Sequence, residues 1–537
     1  MSRLIQYLRM PWLVLPLVVL LGVVAFGPGQ STIGVTDRDE ARFAQASKQM
    51  AISGDLIDIR FQDGTRYKKP VGIYWLQSTT ANLFEKDQIW SYRIVSFSAA
   101  VLAGLALYWA LLPLTGAQAA GPAALMMPGL FILNIEARLA KTDATLLLVI
   151  ILTMGALARI WMRTPSGWWT RAIFWVGLSA GVLIKGPIIF GPVLCSILWL
   201  CATKREWRWL GDLSPMKGGL AFLALTLPWF IAITIKSDWA FWGASLGEDF
   251  SAKIASGQEE HGAFPGTYIL TGLLTLWPWT VLVPAAAVFA FKNRAERNIA
   301  FLIGWLVPFW LVLELVPTKL LHYTLPVYPA LIALAALALV TFSARAIGWL
   351  GIGIWVLGAA LIAVIGIGLP IMAESAQSLL FIATFIVAGG IGFWVFTRRK
   401  TLAPELLVTA LTVSAVVMHI GLLSGMLAKM RLVFPSESMR WAIAQHRCEG
   451  RSLAIAGYHE PSAVFNLGTG LKKLDHDAAW NALSTGAIEL AWIDASKLPP
   501  VADAIEVRGF NYNEGREVLM RLYAAPDQPV NAIEGCK

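Results

Sequence analysis

The sequence predicts a polytopic α-helical membrane protein that carries a small α/β domain at its C-terminus. Of the 537 residues, 57% are hydrophobic and only 14% are charged, whereas an average soluble protein is about 25% charged. The mean hydropathy is +0.63, and the apolar residues form long runs. This composition excludes a soluble multidomain enzyme and a disordered or fibrous chain. The long runs also argue against an outer-membrane barrel, whose strands alternate.

Thirteen apolar stretches are candidates for membrane-spanning helices. They cover residues 11–27, 90–112, 118–136, 144–162, 172–186, 187–202, 218–236, 267–290, 299–316, 322–341, 347–370, 378–397 and 404–427. The pair at 172–202 is the least regular, because two short stretches flank Lys185-Gly186-Pro187. The first stretch is interpreted as an uncleaved helix with its basic end in the cytoplasm.

The loops between these stretches predict how the chain is oriented. With the N-terminus inside, the short loops holding Arg163, Lys204, Lys292 and Arg398 are cytoplasmic and basic, as the positive-inside rule requires. An odd number of spans then places everything after about residue 428 outside. The transmembrane domain is predicted over residues 1–429, with the long first loop, residues 28–89, also on the outer side.

Residues 430–537 are predicted to form the α/β domain, because the composition becomes polar there. Strands are expected at 452–456, 487–492 and 517–523, and helices at 437–446 and 478–484. Cys448 and Cys536 bracket this region, and they could form a disulfide in an oxidising compartment. The spacing alone leaves their pairing open.

The first loop contains a helix start rich in acids, Thr36-Asp-Arg-Asp39-Glu40. Thr36 is the expected N-cap, and acids in a first turn complement the helix dipole. The alternative is that one carboxylate beside the membrane is a catalytic base.

A second segment of this loop reads Tyr67-Lys68-Lys69-Pro70, with Tyr74-Trp75 shortly after it. Paired lysines next to aromatic residues suit a lipid phosphate. They equally suit snorkelling cations with an aromatic belt.

Taken in order, Asp39-Glu40-Ala-Arg42-Phe43, Ser53-Gly54-Asp55, Tyr67-Lys-Lys69-Pro70 and Tyr74-Trp75-Leu76 resemble the first periplasmic loop of a known superfamily. It is the aminoarabinose transferase and protein O-mannosyltransferase superfamily. These integral-membrane glycosyltransferases have the GT-C fold and use polyprenyl-phosphate sugars. The resemblance implies a GT-C-like fold and a bacterial inner-membrane location, with the C-terminus in the periplasm.

The resemblance also implies residue roles in the first loop. Asp39 matches the catalytic carboxylate, with Glu40 beside it. Lys69 matches the lysine that contacts the donor phosphate, and Arg42 is assigned to the same group. Relatives often carry a Glu linked to a metal ion where this chain has Lys68, so no metal is predicted there. No other cofactor is predicted, and a divalent ion elsewhere stays open.

Later loops supply the remaining candidates. Asp143, after Lys141-Thr142, resembles the second acidic motif of the superfamily, although Thr-Asp is also an ordinary N-cap. The loop 237–266 resembles the periplasmic loop of the superfamily that supplies a basic residue to the donor phosphate, and Lys253 stands nearest that place. Lys319 and Tyr323 match a Lys-x-x-x-Tyr-x-Leu-Pro segment and, one helical turn apart, could face one cavity. Interfacial anchoring is the alternative for this pair.

The predicted function is therefore inverting transfer of a sugar from a polyprenyl phosphate to lipid A or a related glycolipid. The leaving phosphate is already ionised, so cations and one base suffice. No nucleotide-binding fingerprint is found in the sequence, and no nucleic-acid partner is expected; the partners are the lipid-linked donor, the acceptor and membrane lipids. Alternatives are a protein or polysaccharide acceptor, a lipid or solute transporter, and a non-catalytic glycan-binding subunit.

Overall fold

The computed structural model describes residues 11–165, 167–250, 262–372, 378–525, 528–531 and Cys536. Its α-helices are α1 (Pro11–Phe26), α2 (Asp39–Ser53), α3 (Gly72–Leu83), α4 (Trp90–Met126), α5 (Phe131–Glu136), α6 (Asp143–Trp161), α7 (Trp168–Lys185), α8 (Phe190–Lys204), α9 (Pro215–Lys236), α10 (Thr267–Thr275), α11 (Val283–Lys292), α12 (Arg297–Leu315), α13 (Tyr328–Phe342), α14 (Trp349–Met372), α15 (Ser378–Arg398), α16 (Pro404–His419), α17 (Pro435–Gln445), α18 (Pro461–Leu467) and α19 (His476–Ser484). Its strands are β1 (Arg60–Phe61), β2 (Gly64–Thr65), β3 (Leu453–Ala456), β4 (Lys472–Leu474), β5 (Leu490–Asp494), β6 (Glu506–Asn511), β7 (Arg516–Ala525) and β8 (Gln528–Pro529).

Shorter turns connect these elements. The 3-10 turns are Met127–Gly129, Gly186–Ile189, Arg208–Leu213, Trp279–Leu282, Leu321–Val327, Ser343–Ala346, Leu427–Lys429 and Arg431–Val433. A short helix at Ala240–Trp242 leads into a π-helical segment at Gly243–Phe250, and a second π-helical segment covers Ile420–Met426.

The membrane part is a bundle of long apolar helices, as predicted. Within the described residues, nine helical segments are long and apolar enough to cross a membrane, or ten if the bent pair α10 and Trp279–Lys292 is one span. Two of the nine each cover two predicted stretches: Trp168–Lys204 contains 172–186 and 187–202, and Trp90–Gly129 contains 90–112 and most of 118–136. The chain turns within them at Gly116 and Gly186, which both have positive φ. The thirteen predicted stretches all fall on helices, but the number of crossings stays a prediction.

The first loop folds as a compact unit of two helices and a short hairpin, β1–β2. α2 ends at Gly54, whose positive φ closes the helix in the usual left-handed cap. Phe43 and Met50 of α2 are buried in one cluster with Ile73 and Tyr74 of the α3 segment. The prediction that Thr36 is the N-cap is wrong, because α2 begins at Asp39 after a turn at Arg38 with φ of 62°.

The C-terminal region forms a sheet in the order β4-β3-β5-β7-β6, with β8 beside β7. β3 pairs in parallel with β4 and β5, whereas β5 and β6 pair with β7 in antiparallel fashion. The three predicted strands and two predicted helices are confirmed. The sequence analysis missed β4, β6, β8 and α18, which are short or partly exposed. The boundary at residue 430 stays a prediction, and Cys448 and Cys536 form a disulfide.

The C-terminal region packs directly on the first loop. Phe465 of α18 lies in a buried cluster with Ala44 and Tyr92, and its ring meets the Tyr92 ring edge-on at 5.6 Å. The Gln62 side-chain amide donates to the carbonyls of Thr469 and Leu471. The first loop and the C-terminal region therefore lie on the same face of the membrane bundle.

Candidate active site

A cavity of about 480 Å³ opens between the first loop and the membrane helices. Among the described residues, its wall carries seven cations, which are Arg38, Arg42, Arg66, Lys68, Lys69, Lys141 and Lys185. Only three acids line the same wall: Asp37, Asp39 and Asp143. The excess of positive charge suits an anionic ligand such as a phosphate.

The membrane side of the cavity is apolar. Leu146 and Leu147 of α6, Ile188, and Phe309 and Val312 of α12 line this part. The cavity therefore joins a cationic section at the membrane face to an apolar section between helices. That combination fits an amphipathic molecule with a charged head and a hydrocarbon tail.

Asp39 is the first residue of α2, and its side chain faces the cavity. Burial opposes its ionisation, but the positive charges of Lys141, Arg66 and Arg42 outweigh this and lower its pKa below the ordinary value. Within the described residues, no hydrogen bond to its carboxylate is formed. An ionised carboxylate on a cavity wall can accept a proton from a bound hydroxyl.

Glu40 does not line the cavity, so its position does not support the predicted catalytic role, which stays a prediction. Its carboxylate accepts two hydrogen bonds from Arg93, two from Thr36 and one from the Ala140 amide. Burial opposes ionisation of Glu40, but Arg93 lowers its pKa below the ordinary value. Glu40 instead anchors the start of α2 to α4 and to the loop before α6.

Asp143 belongs to a network of ion pairs at the cavity wall. It accepts a 2.5 Å bond from Lys185, and Glu136 accepts a 3.1 Å bond from Lys141. His322 lies between the two carboxylates, with Nδ1 3.5 Å from Glu136 Oε1 and Nε2 3.6 Å from Asp143 Oδ1. Asp143 thus positions Lys185 and His322.

Lys68 lines the cavity as a cation and cannot serve there as a metal ligand, so the absence of a metal ion at this position stays a prediction. The described part of the chain holds one other set of possible ligands, Glu136, Asp143 and His322, with ligand atoms within 4.8 Å of one another. Both carboxylates already pair with lysine ammonium groups. We interpret this set as an ion-pair network.

The predicted phosphate-binding residues have different positions. Arg42, Lys69 and Tyr323 all line the cavity. Lys319 does not: its ammonium group donates to the carbonyls of Leu313, Glu314 and Val316 at the end of α12. The expected helical turn between Lys319 and Tyr323 is wrong, because the 3-10 turn begins only at Leu321. Lys253 lies outside the described residues.

Arg66, Lys141 and Lys185 are among the cavity cations that were not assigned a site role from the sequence. Arg66 directly precedes the Tyr67-Lys68-Lys69 motif, and its guanidinium lies 5.1 Å from the Phe43 ring centroid. Lys141 is part of the Asp143 motif. Lys185 stands before Gly-Pro as an isolated cation whose role the sequence leaves ambiguous. For Arg66 and Lys141, the sequence feature that could have indicated a site role was their position beside a recognised motif.

Asp37 connects the cavity to the C-terminal region. Its carboxylate accepts hydrogen bonds from the Tyr458 hydroxyl at 3.0 Å and from the Ser462 amide at 3.3 Å. Its own amide donates to the Tyr512 hydroxyl at 2.5 Å. Burial raises the pKa of Asp37 to about 6. The C-terminal region thus holds the turn that precedes Asp39.

Known proteins agree with this architecture. A family model described as dolichyl-phosphate-mannose-protein mannosyltransferase matches residues 68–231, which include Lys69, Asp143 and Lys185. An undecaprenyl phosphate-α-4-amino-4-deoxy-L-arabinose arabinosyl transferase from Edwardsiella ictaluri is 27% identical over 60% of this chain. The chain spans 58% of that relative's length. The corresponding transferase of Pseudomonas aeruginosa is 26% identical over 70% of both chains.

Solved structures show the same fold. The crystal structure of ArnT from Cupriavidus metallidurans bound to undecaprenyl phosphate superposes with a TM-score of 0.77 at 18% identity, covering 94% of this chain and 97% of the other. The oligosaccharyltransferase AglB from Archaeoglobus fulgidus gives a TM-score of 0.52 at 10% identity, covering 90% and 69%. The chain therefore has the GT-C fold that the resemblance of its first loop implied.

Proposed function

We propose that the chain is an inverting glycosyltransferase that moves a sugar from a polyprenyl phosphate to lipid A or a related envelope glycolipid. The observation that carries this proposal is the position of Asp39 among the cavity cations, above an apolar section between membrane helices. The curated relatives are named as undecaprenyl-phosphate-aminoarabinose transferases, which supports both the donor class and the reaction.

The mechanism follows from these groups. Lys69, Arg42 and Tyr323 hold the donor phosphate at the membrane face, where their charge and hydrogen bonds stabilise it as the leaving group. Asp39 accepts the proton of an acceptor hydroxyl as the acceptor oxygen bonds to the anomeric carbon of the sugar. The bond from that carbon to the phosphate oxygen breaks on the opposite side, so the configuration inverts. An acceptor that is itself a phosphate needs no base.

We further propose that the chain lies in the bacterial inner membrane, with the N-terminus in the cytoplasm and the C-terminal region in the periplasm. The Cys448–Cys536 disulfide supports this orientation, since disulfides persist in oxidising compartments. After reduction, a membrane-impermeant maleimide should label these cysteines in intact spheroplasts. Labelling only after lysis would reverse the orientation.

The experiment that tests the function is mass spectrometry of lipid A from a deletion strain, complemented with the wild type or with Asp39→Asn. We expect the deletion to lose one sugar mass that only the wild type restores. Full restoration by Asp39→Asn would exclude Asp39 as the base.

The description of the matching family model favours a protein as the second candidate acceptor. An unchanged lipid A spectrum together with a lost glycoprotein mass would select it. If lipid A, glycoproteins and polysaccharides were all unchanged, a transporter would become the better hypothesis.

A further inference from the structure

A second concave surface lies on the same membrane face as the cavity. This groove has a volume of about 640 Å³ and lies between the first loop, the segment that follows the last membrane helix, and the C-terminal sheet. Its floor forms where the Phe434 ring packs against Gly34, at which a Cβ atom would lie 2.5 Å from the ring. Gly34 therefore permits this close approach.

The groove offers two arginines without carboxylate partners. Of the five charged residues that line it, Arg440 pairs with Glu437 at 3.8 Å, and Glu506 accepts a hydrogen bond from Arg521. This pairing accounts for both carboxylates. Within the described residues, Arg431 and Arg508 have no such ion pair. Packing of Gly509 against Pro435 brings their two segments together.

The other lining groups suit a sugar. Trp441 is 60% exposed, and the Arg431 guanidinium lies 5.6 Å from its ring centroid. Asn466 is 9% exposed, and its Oδ1 has no hydrogen-bond partner among the described residues. An exposed indole can pack on a sugar ring, a free carbonyl oxygen can accept from sugar hydroxyls, and two guanidinium groups can bind a phosphate.

The groove is also close to the proposed base. Val35 lines the groove and Asp39 lines the cavity. Four residues of fully extended chain span at most about 14 Å. Arg431 lies two residues after the end of the apolar helical segment Pro404–Lys429, which is where a membrane helix meets lipid headgroups.

We propose that this groove binds the phosphorylated sugar headgroup of the acceptor lipid, with Arg431 and Arg508 on its phosphate. The inference rests on the proposed transferase function, because it assigns the acceptor a position beside Asp39. The donor occupies the separate cavity. Phosphate on a sugar headgroup thus distinguishes acceptors from other lipids.

The test measures binding and turnover separately on the full chain in nanodiscs of zwitterionic lipid. We expect Arg431→Gln/Arg508→Gln to weaken binding of purified lipid A by about tenfold or more per arginine, and to raise the acceptor KM while leaving the donor KM unchanged. Arg431→Lys/Arg508→Lys should recover part of the affinity. The control is Arg205→Gln/Arg208→Gln, which removes the same charge just after α8, whose start lines the cavity. This variant should bind lipid A like the wild type.

The outcomes separate the two proposals. Binding of lipid A that depends on Arg431 and Arg508, without any transfer, would support the groove and overturn the transferase function. Normal acceptor KM and binding in the double Gln variant would overturn the groove alone. Binding of inorganic phosphate as tight as binding of lipid A would also overturn it, because the groove would then recognise free phosphate.

Discussion

The Glu40 carboxylate and the Arg93 guanidinium form a fully buried ion pair, with Nε 2.7 Å from Oε1 and Nη2 2.8 Å from Oε2. Arg93 also donates to the carbonyls of Gln30, Ile33 and Gly34. One guanidinium thus fixes both the chain before α2 and the first turn of that helix. Because Asp39 is the neighbour of Glu40, this pair sets the direction in which Asp39 points.

We predict that Glu40→Gln destabilises the protein strongly, because a variant that removes one partner leaves the buried Arg93 charge uncompensated. Breaking such a pair typically costs roughly 3–5 kcal/mol. The measurement is thermal unfolding in detergent, with Asp39→Asn as the matched control one residue away. Unfolding of Glu40→Gln at the wild-type temperature, with turnover lost, would instead restore Glu40 as a catalytic candidate.

In contrast to Glu40→Gln, Asp39→Asn should lower the catalytic rate and leave the stability nearly unchanged. The cavity cations favour its charge, but Asp39 is exposed and solvent screens these interactions, so the folded state loses little when the charge is removed. Loss of a general base typically lowers the rate by about 10²- to 10⁴-fold. We expect kcat for transfer to a hydroxyl to fall in that range, with the melting temperature and donor binding near those of the wild type. A rate within threefold of the wild type would rule out base catalysis by this carboxylate.

Lys69 and Lys319 provide a third contrast, since both were predicted to bind the donor phosphate but only Lys69 lines the cavity. We expect Lys69→Met to raise the donor KM by about tenfold or more, because it removes a charged contact to the leaving phosphate. Lys319→Met should leave the donor KM unchanged and lower thermal stability, because its ammonium group caps the carbonyl end of α12. The opposite pattern would place the donor phosphate near Lys319.

These contrasts show how far the sequence predicts the site. Asp39, Arg42 and Lys69 were identified because each belongs to a short motif whose order and spacing are visible in one loop. The sequence did not indicate that Glu40 lies away from the cavity, because successive helical residues point about 100° apart and only Arg93, a distant residue, decides which carboxylate is buried. Lys319 also lies away from the cavity, since its partners are the end carbonyls of another element.

The fold was more predictable than the site because apolar length alone identifies membrane helices. Two features of the structure could not be predicted from apolar length. Gly116 and Gly186 turn the chain within continuous apolar helical segments, so composition cannot decide how many times each segment crosses the membrane. Lys141 and Lys185 reach the cavity from separate segments and are brought there by their ion pairs with Glu136 and Asp143. Such convergence depends on helix packing, which no local motif encodes.

Asp37 gives a prediction about pH. Burial raises its pKa from 3.8 to about 6, so the folded state favours the protonated form. The protonated Asp37 carboxyl therefore stabilises the folded state fully below pH 3.8, and this stabilisation is lost as the pH rises through about 6. The Asp37→Asn variant cannot ionise at this position, so its folded state does not lose this stabilisation as the pH rises. We therefore expect the wild type to become less stable relative to Asp37→Asn as the pH rises from 4.5 to about 7.5.

Thermal unfolding across that pH range, measured in one detergent, tests this expectation. Asp212→Asn removes an exposed loop carboxylate and should follow the wild-type profile. Parallel profiles for Asp37→Asn and the wild type would mean that the Asp37 carboxylate ionises as easily in the folded chain as in the unfolded one. The hydrogen bonds from Tyr458 and Ser462, which favour the ionised carboxylate, would then fully offset the burial that favours the protonated form.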